Sequence, residues 1–342
     1  MKSKPFLSTN VAFCILHSAF LIFFSSCECN KPKQPETVNT KPETLTLPVP
    51  NFNADSAYEF TAAQVAFGPR VPGTPAHAKC ADYLVAKLKS YGLPVIMQHG
   101  EVKTFDNKRL VAKNIIAQYN PDTKQRILLC SHWDSRPFAD QDTARKNEPI
   151  DAASDGASGV AILLEMARDL QNTKLGIGID IIFLDVEDWG QQEDSKLPIM
   201  KDSYCLGTQY WAEHPHVPNY FASYGILLDM VGAKGAKFYQ ERNSLSYAND
   251  VVKRVWDAAA HIGYSDYFVY LPGGELIDDH YYINNMTHIP TIDIIQYDAN
   301  SRSRVFPDYW HTHDDNMSII DKNTLKAVGQ TLLQVAFTDV NL

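Results

Sequence analysis

Short β-branched runs alternate along this chain with amphipathic stretches, and no other feature restricts the fold as strongly. The apolar runs cover residues 113–118, 126–130, 177–184, 225–228 and 291–295, while helical periodicity covers 76–89, 156–170, 246–261 and 322–337. Strands of 4–8 residues separated by helical stretches predict an α/β fold. The expected architecture is a single domain with a mixed, mostly parallel central sheet flanked by helices on both faces. No internal repeat interrupts it.

A set of acidic and imidazole side chains stands where apolar runs end. In order these are His132 and Asp134 in ILLCSHWD, Asp155 in AASDGASG, Glu187 and Asp188 in IDIIFLDVED, Asp229 in GILLDMVG and His311 in YWHTHDD. One such residue at a strand end is ordinarily a hydrogen-bonded polar group. Five units of this kind in one chain point instead to a metal. Catalytic Zn²⁺ takes three fixed nitrogen or oxygen donors and keeps one position open, and strand termini of an open sheet hold side chains rigidly around a shared crevice. Adjacent carboxylates also allow one to bind metal while its neighbour moves a proton.

Two polar segments, 136–149 and 189–201, directly follow site segments and are longer than a compact domain needs. Such segments serve either as lids and specificity elements or as surface decoration, and the sequence leaves both open. The stretch GPRVPGTP at 68–75 is too dense in Pro and Gly for helix or strand and predicts a rigid turn into the following helix.

With 342 residues, 45% of them hydrophobic and 21% charged, the chain can bury a substantial core. A formal net charge of −9 without a Lys/Arg cluster excludes nucleic acid as a partner. At the N-terminus, Lys2 and Lys4 precede an apolar stretch over 11–24 and then Ser25-Ser26-Cys27, the layout of a secretory signal. Cys27 resembles a bacterial lipoprotein processing site, so the expected location is the periplasm, with a lipid anchor at Cys27. The apolar stretch is shorter than the ~20 residues a spanning helix needs. Residues 1–27 are thus read as signal, 28–53 as a solvated tether rich in Pro, Thr, Lys and Glu, and 54–342 as the catalytic domain. Cys14, Cys27 and Cys29 fall outside that domain. The remaining Cys80, Cys130 and Cys205 lack CxxC spacing, which indicates neither a disulfide framework nor a thiolate metal site and allows at most one bridge.

Taken in order, FGPRVPGTPAH, SHWDS, SDGASG, FLDVED, LLDMVG and WHTHDDN resemble the zinc aminopeptidase-like clan over nearly the whole domain. Two segments favour its glutaminyl cyclase branch. Ile277-Asp278-Asp279-His280 resembles that branch's DDH element, and VFPDYWHT at 305–312 resembles its FPxxWHT element. The chain departs from the pattern at Asp188, where animal cyclases carry glutamate, and in the longer loop that follows.

The resemblance implies conversion of N-terminal glutamine of peptides or exported proteins to pyroglutamate, with one Zn²⁺ per chain held by Asp155, Asp188 and His311. It makes Glu187 the general acid/base, with Asp229 and Asp278 beside it. His132 and Asp134 match the position that supplies a second metal site in the peptidases; the alternative for them is hydrogen bonding around the first. Phe306 and Trp310 are expected to wall the substrate pocket. Trp189 is expected there too, or else in the core. Of the other histidines, His313 reads as structural, His280 as a partner of Asp279, and His214 and His216 as solvated. A dizinc aminopeptidase is the rival activity, and an inactive peptide-binding protein the rival class.

Overall fold

Strands rich in Ile, Leu and Val form a six-stranded sheet whose central members are buried on both faces. The computed structural model describes residues 48–338. The signal, Cys27 and most of the tether lie outside the described residues. Along the chain run α1 (Ala54–Val65), α2 (Pro75–Ser90), β1 (Val95–Lys103), β2 (Arg109–Tyr119), β3 (Arg126–His132), α3 (Ala157–Leu170), β4 (Gly178–Leu184) and α4 (Leu206–Glu213). Then come β5 (Gly225–Asp229), β6 (Phe238–Gln240), α5 (Arg242–His261), β7 (Phe268–Pro272), α6 (Asp279–Thr287), β8 (Thr291–Ile295) and α7 (Lys322–Thr338).

The sheet order is β1-β2-β4-β3-β5-β8, and β6 pairs with β7 separately. β1 and β2 are antiparallel, as are β2 and β4, whereas β4, β3, β5 and β8 run parallel. This is the mixed, mostly parallel sheet that the alternation predicts. β3, β4 and β8 are buried at every position, as strands must be when helices cover both faces. One core cluster packs α1, α2, α3, α5 and α7 against the sheet, and a smaller one containing Trp211 and Ile283 lies under α4 and α6.

The segments absent from the sequence reading share a weak period. β1 (VIMQHGEVK) is a half-exposed edge strand, and α6 (DHYYINNMT) is largely polar and starts where Asp278 caps it. α5 begins four residues before the expected 246, because the Glu241 carboxylate accepts from the Asn243 and Ser244 amides and caps the helix there. The folded packing also reaches back into the segment assigned to the tether. Phe52 is buried against Gly329 of α7, and Gln330 and Lys326 bind the backbone of 50–52. Cys80, Cys130 and Cys205 are buried and free. Among the described residues no helix is long and apolar enough to cross a membrane.

The spacing between α3 and the sheet fixes the approach of Asp155 to the strand ends. A Cβ added at Gly159, in the first turn of α3, would lie 2.6 Å from the Leu228 carbonyl oxygen of β5. Backbone cannot yield as a flexible side chain can, so Gly159→Ala is expected to destabilise the fold by about 1–3 kcal/mol. Chemical denaturation checks this, and an unchanged midpoint would contradict the close approach.

Candidate active site

The carboxyl ends of β3, β4, β5 and β8 open on one side of the sheet, and the chain leaves β3 toward β4 on one flank and β5 on the other. Such a reversal creates a crevice outside the strand ends. Here the crevice is a cavity of about 340 Å³ whose polar wall is Asp155, Glu187, Asp188, Asp229, Asp278 and His311. The structure therefore brings together the predicted acids and His311 from five distant segments.

Strained backbone marks the segments that supply them. Ala152, Val186, Cys205, Met230 and His311 all have positive φ, as does Gly156. Each is, or lies within three residues of, a group in the cavity or in contact with one. Left-handed geometry is costly for residues with a Cβ, most of all for a β-branched one such as Val186, and persists only where the surroundings enforce it. Asp134 supplies part of that enforcement, its buried carboxylate accepting from the amides of Glu187 at 3.1 Å and Asp188 at 3.2 Å. Leu206 N donates to the Val186 carbonyl at 3.0 Å and Cys205 N to that of Glu187 at 2.9 Å. Buried Arg70, from the predicted turn, donates to the carbonyls of Trp133, Asp151 and Ala152, while Asp315 accepts from the Ser154 and Asp155 amides. The segments around Asp155 and Glu187 are thus held from both sides.

Burial of so many acids in one place separates their proton affinities. Burial raises the Glu187 carboxyl well above its ordinary range; His132 opposes this, and Asp188, Asp278 and Asp279 add to it. Burial acts the same way on Asp188, but His311 and Arg136 outweigh it and hold that carboxyl below its usual range. The two adjacent carboxylates are therefore shifted in opposite directions. Asp155 and Asp229 are raised, first by burial and then by acidic neighbours including Asp188. His132 is raised well above its ordinary value, because hydrogen bonds to Asp134, Asp155 and Asp229 override its burial.

One group of donors suits a metal ion. Single atoms of Asp155, Asp188 and His311 lie within 4.8 Å of one another. His311 Nε2 stands 3.3 Å from Asp188 Oδ1 and 3.8 Å from Asp155 Oδ2. Asp155 Oδ2 and Asp188 Oδ2 are buried without a hydrogen-bond partner. Tetrahedral zinc with ligands at 2.0–2.1 Å sets them about 3.3 Å apart, so the residues present fit the group. His311 Nδ1 faces Asp140 Oδ1 at 3.3 Å, and Arg136 clamps Asp140 through two bonds and Asp188 through a third. A carboxylate behind the imidazole fixes the ring orientation of a metal-binding histidine.

His132, Asp155 and Asp229 form a second group. Its spacings are tighter: His132 Nε2 lies 3.0 Å from Asp155 Oδ1 and 3.2 Å from Asp229 Oδ1. These distances suit hydrogen bonds and also fall near the spacing of ligands on one ion. Asp134 sits 3.6 Å from His132 Nδ1 and serves the Glu187–Asp188 backbone.

The aromatic wall differs from expectation at one position. Phe306 and Trp310 line the cavity, stacked on each other at 4.2 Å, and Trp310 stacks on His311 at 3.7 Å. Trp189 does not line it. It is buried with Phe105, Val71 and Leu206, and its indole N–H donates to Asp106, because the strained turn at Val186 sends the following chain away from the crevice. Tyr204, Glu275, Leu276, Ile277 and Ile295 complete the wall, and no motif marked them.

His280 pairs with Glu241 at 3.0 Å rather than with Asp279. His216 is half-buried, its Nδ1 accepting from Trp211, while His214 is exposed as expected. His313 is structural, bonded to Asp142. With Asp140, Asp142 and Gln141 all bonded to the His311 segment, 136–149 braces the site. The 189–201 segment carries exposed Leu197 and Ile199 and behaves as surface. Removing one oxygen donor should release the metal: Asp155→Ala is expected to lose zinc, measured as metal per chain after dialysis. A full equivalent retained would contradict the ligand set.

Comparison with known proteins identifies the family. The sequence profile of Peptidase family M28 matches residues 114–336. A Zn-dependent exopeptidase from Parabacteroides distasonis is 51% identical over 85% of this chain and 99% of its own, with a TM-score of 0.83. The Tannerella forsythia glutaminyl cyclase is 50% identical over 84% of this chain and 99% of its own, with a TM-score of 0.82. The glutaminyl-peptide cyclotransferase of Bos taurus is 23% identical over 77% of this chain and 76% of its own. The chain belongs to peptidase family M28.

Proposed function

We propose that this protein is a zinc-dependent glutaminyl-peptide cyclotransferase that converts N-terminal glutamine of peptides to pyroglutamate and ammonia. The observation that carries the reading is the convergence of Asp155, Asp188 and His311, with His311 Nε2 3.3 Å from Asp188 Oδ1 and 3.8 Å from Asp155 Oδ2, beside Glu187 in a small cavity lined by Phe306 and Trp310. Half-identity to the Tannerella forsythia glutaminyl cyclase, along almost all of that protein, supports it.

In this reaction the substrate α-amine attacks its own γ-amide carbon, the new C–N bond closes a five-membered ring, and the old C–N bond breaks. No protein nucleophile is required. Asp155, Asp188 and His311 would hold one Zn²⁺ per chain, which would supply positive charge to polarise the γ-carbonyl. Glu187 takes the proton lost by the amine and returns it to the departing nitrogen, a task suited to a carboxyl with raised proton affinity. Asp278 and Asp229, lining the same cavity, orient that nitrogen. Phe306 and Trp310 confine the glutamine side chain folded back on itself, and pre-organising a ring geometry of this kind contributes several kcal/mol.

The aminopeptidase reading has its own support in the His132–Asp155–Asp229 group, which resembles a second metal position. The cyclase reading takes His132 as a hydrogen-bonding support of Asp155 and Asp229, and metal content per chain separates the two. Substrates are peptides or exported proteins that expose an N-terminal glutamine. Export to the periplasm and lipidation at Cys27 rest on the order of Lys2, Lys4, the apolar 11–24 stretch and Ser25-Ser26-Cys27.

Glutaminyl peptides and leucine anilides offered side by side test the activity. Ammonia release from the first without cleavage of the second is expected, and the reverse pattern would favour the peptidase. Glu187→Gln is expected to keep its zinc and lose roughly 10²–10⁴ in kcat. Near-normal turnover would remove Glu187 as the proton carrier.

A further inference from the structure

Cys205 lies beside the residue that moves the proton. Its side chain is fully buried, and its Sγ stands 3.4 Å from Glu187 Oε1 and 3.9 Å from Asp278 Oδ1. Atoms of these three residues cluster within 4.8 Å. The backbone at Cys205 is left-handed, with φ 56°, and is pinned by its amide bond to the Glu187 carbonyl at 2.9 Å. This conformation is unfavourable for a residue with a Cβ. Although Cys205 stands at the N-terminus of α4, it makes no side-chain cap. Its thiol is aimed instead between two carboxylates that repel each other.

A thiol between two acids has two chemical options. As a thiolate it would add a third negative charge, and burial together with Asp279, Glu187 and Asp278 pushes its proton affinity well up. Cys205 therefore keeps its proton, which excludes it as a nucleophile and as an anionic ligand. A retained S–H donates to one acceptor at a time, and both carboxylates lie within reach of it.

We infer that Cys205 is a positioning residue for the glutamine cyclisation, its S–H donating to Glu187 Oε1 at 3.4 Å with Asp278 Oδ1 at 3.9 Å on its other side. The thiol holds Glu187 Oε1 in place. No bond to sulfur forms and the thiol proton is not consumed. This inference rests on the cyclase reading of the site.

The test compares the zinc-loaded enzyme with Cys205→Ala and Cys205→Ser, using a Gln-peptide for kinetics and infrared spectroscopy for the S–H stretch. Loss of the donor in Cys205→Ala is expected to lower kcat about tenfold, equivalent to about 1.4 kcal/mol, with KM nearly unchanged. Cys205→Ser keeps a donor and should recover most of that loss. The S–H band that disappears in Cys205→Ala is expected to shift in Glu187→Gln.

Full kcat in Cys205→Ala would overturn the inference. So would equal impairment of both variants with a fall in Tm, or a loss of zinc, since these mark packing or ligation. If the wild-type chain released no ammonia, the cyclase reading would fail instead. The infrared shift alone would then decide whether the hydrogen bond to Glu187 exists.

Discussion

Mutual repulsion among buried carboxylates is the constraint around which this protein is organised. Asp155, Glu187, Asp188, Asp229, Asp278 and Asp279 occupy one poorly hydrated crevice, and their positive neighbours are His132, His311 and Arg136. So many anions cannot coexist in low dielectric without protons or a cation to compensate them. The parallel sheet creates the problem by delivering one strand end after another to the same edge. Under the proposed function a divalent cation on Asp155, Asp188 and His311 would relieve it there, and His132 offsets it at Glu187. The chemistry and the electrostatic solution are thus the same arrangement.

Such a site depends on the scaffold holding its backbone in unfavourable conformations. Val186, Cys205 and His311 are left-handed, next in sequence to residues that line the cavity or, for His311, lining it themselves. Buried polar residues that touch no reacting atom maintain them. Asp134 gathers two amides, Arg70 three carbonyls, and Arg136 links Asp140 and His311 to Asp188. Each is nearly or fully buried and satisfied by several partners, so each is costly to remove. Precision at the reacting groups is therefore built in the layer behind them.

The legible part of the sequence was the part governed by strong periodicity. Buried strands such as RILLCSH and GIDIIFL read as continuous apolar runs, and the polar residue that ends each one falls at the sheet edge by necessity. That reasoning placed His132, Glu187, Asp188 and Asp229, and the turn before α3 placed Asp155. Edge strand β1 and polar helix α6 lack such a signal. Direction after a strained turn is also invisible: nothing in VEDWG indicates that Val186 turns Trp189 into the core while Trp310 faces the cavity. Support from the 136–149 segment and the placement of Cys205 beside Glu187 depend on tertiary contacts alone. The cysteine count offered no hint of that neighbourhood.

Locating the metal by anomalous X-ray scattering on either side of the zinc absorption edge tests the central claim most directly. A single peak bounded by Asp155, Asp188 and His311, with His132 hydrogen-bonded rather than ligating, is the predicted result. A second peak of comparable height between His132, Asp155 and Asp229 would contradict the account and return the chain to dizinc chemistry.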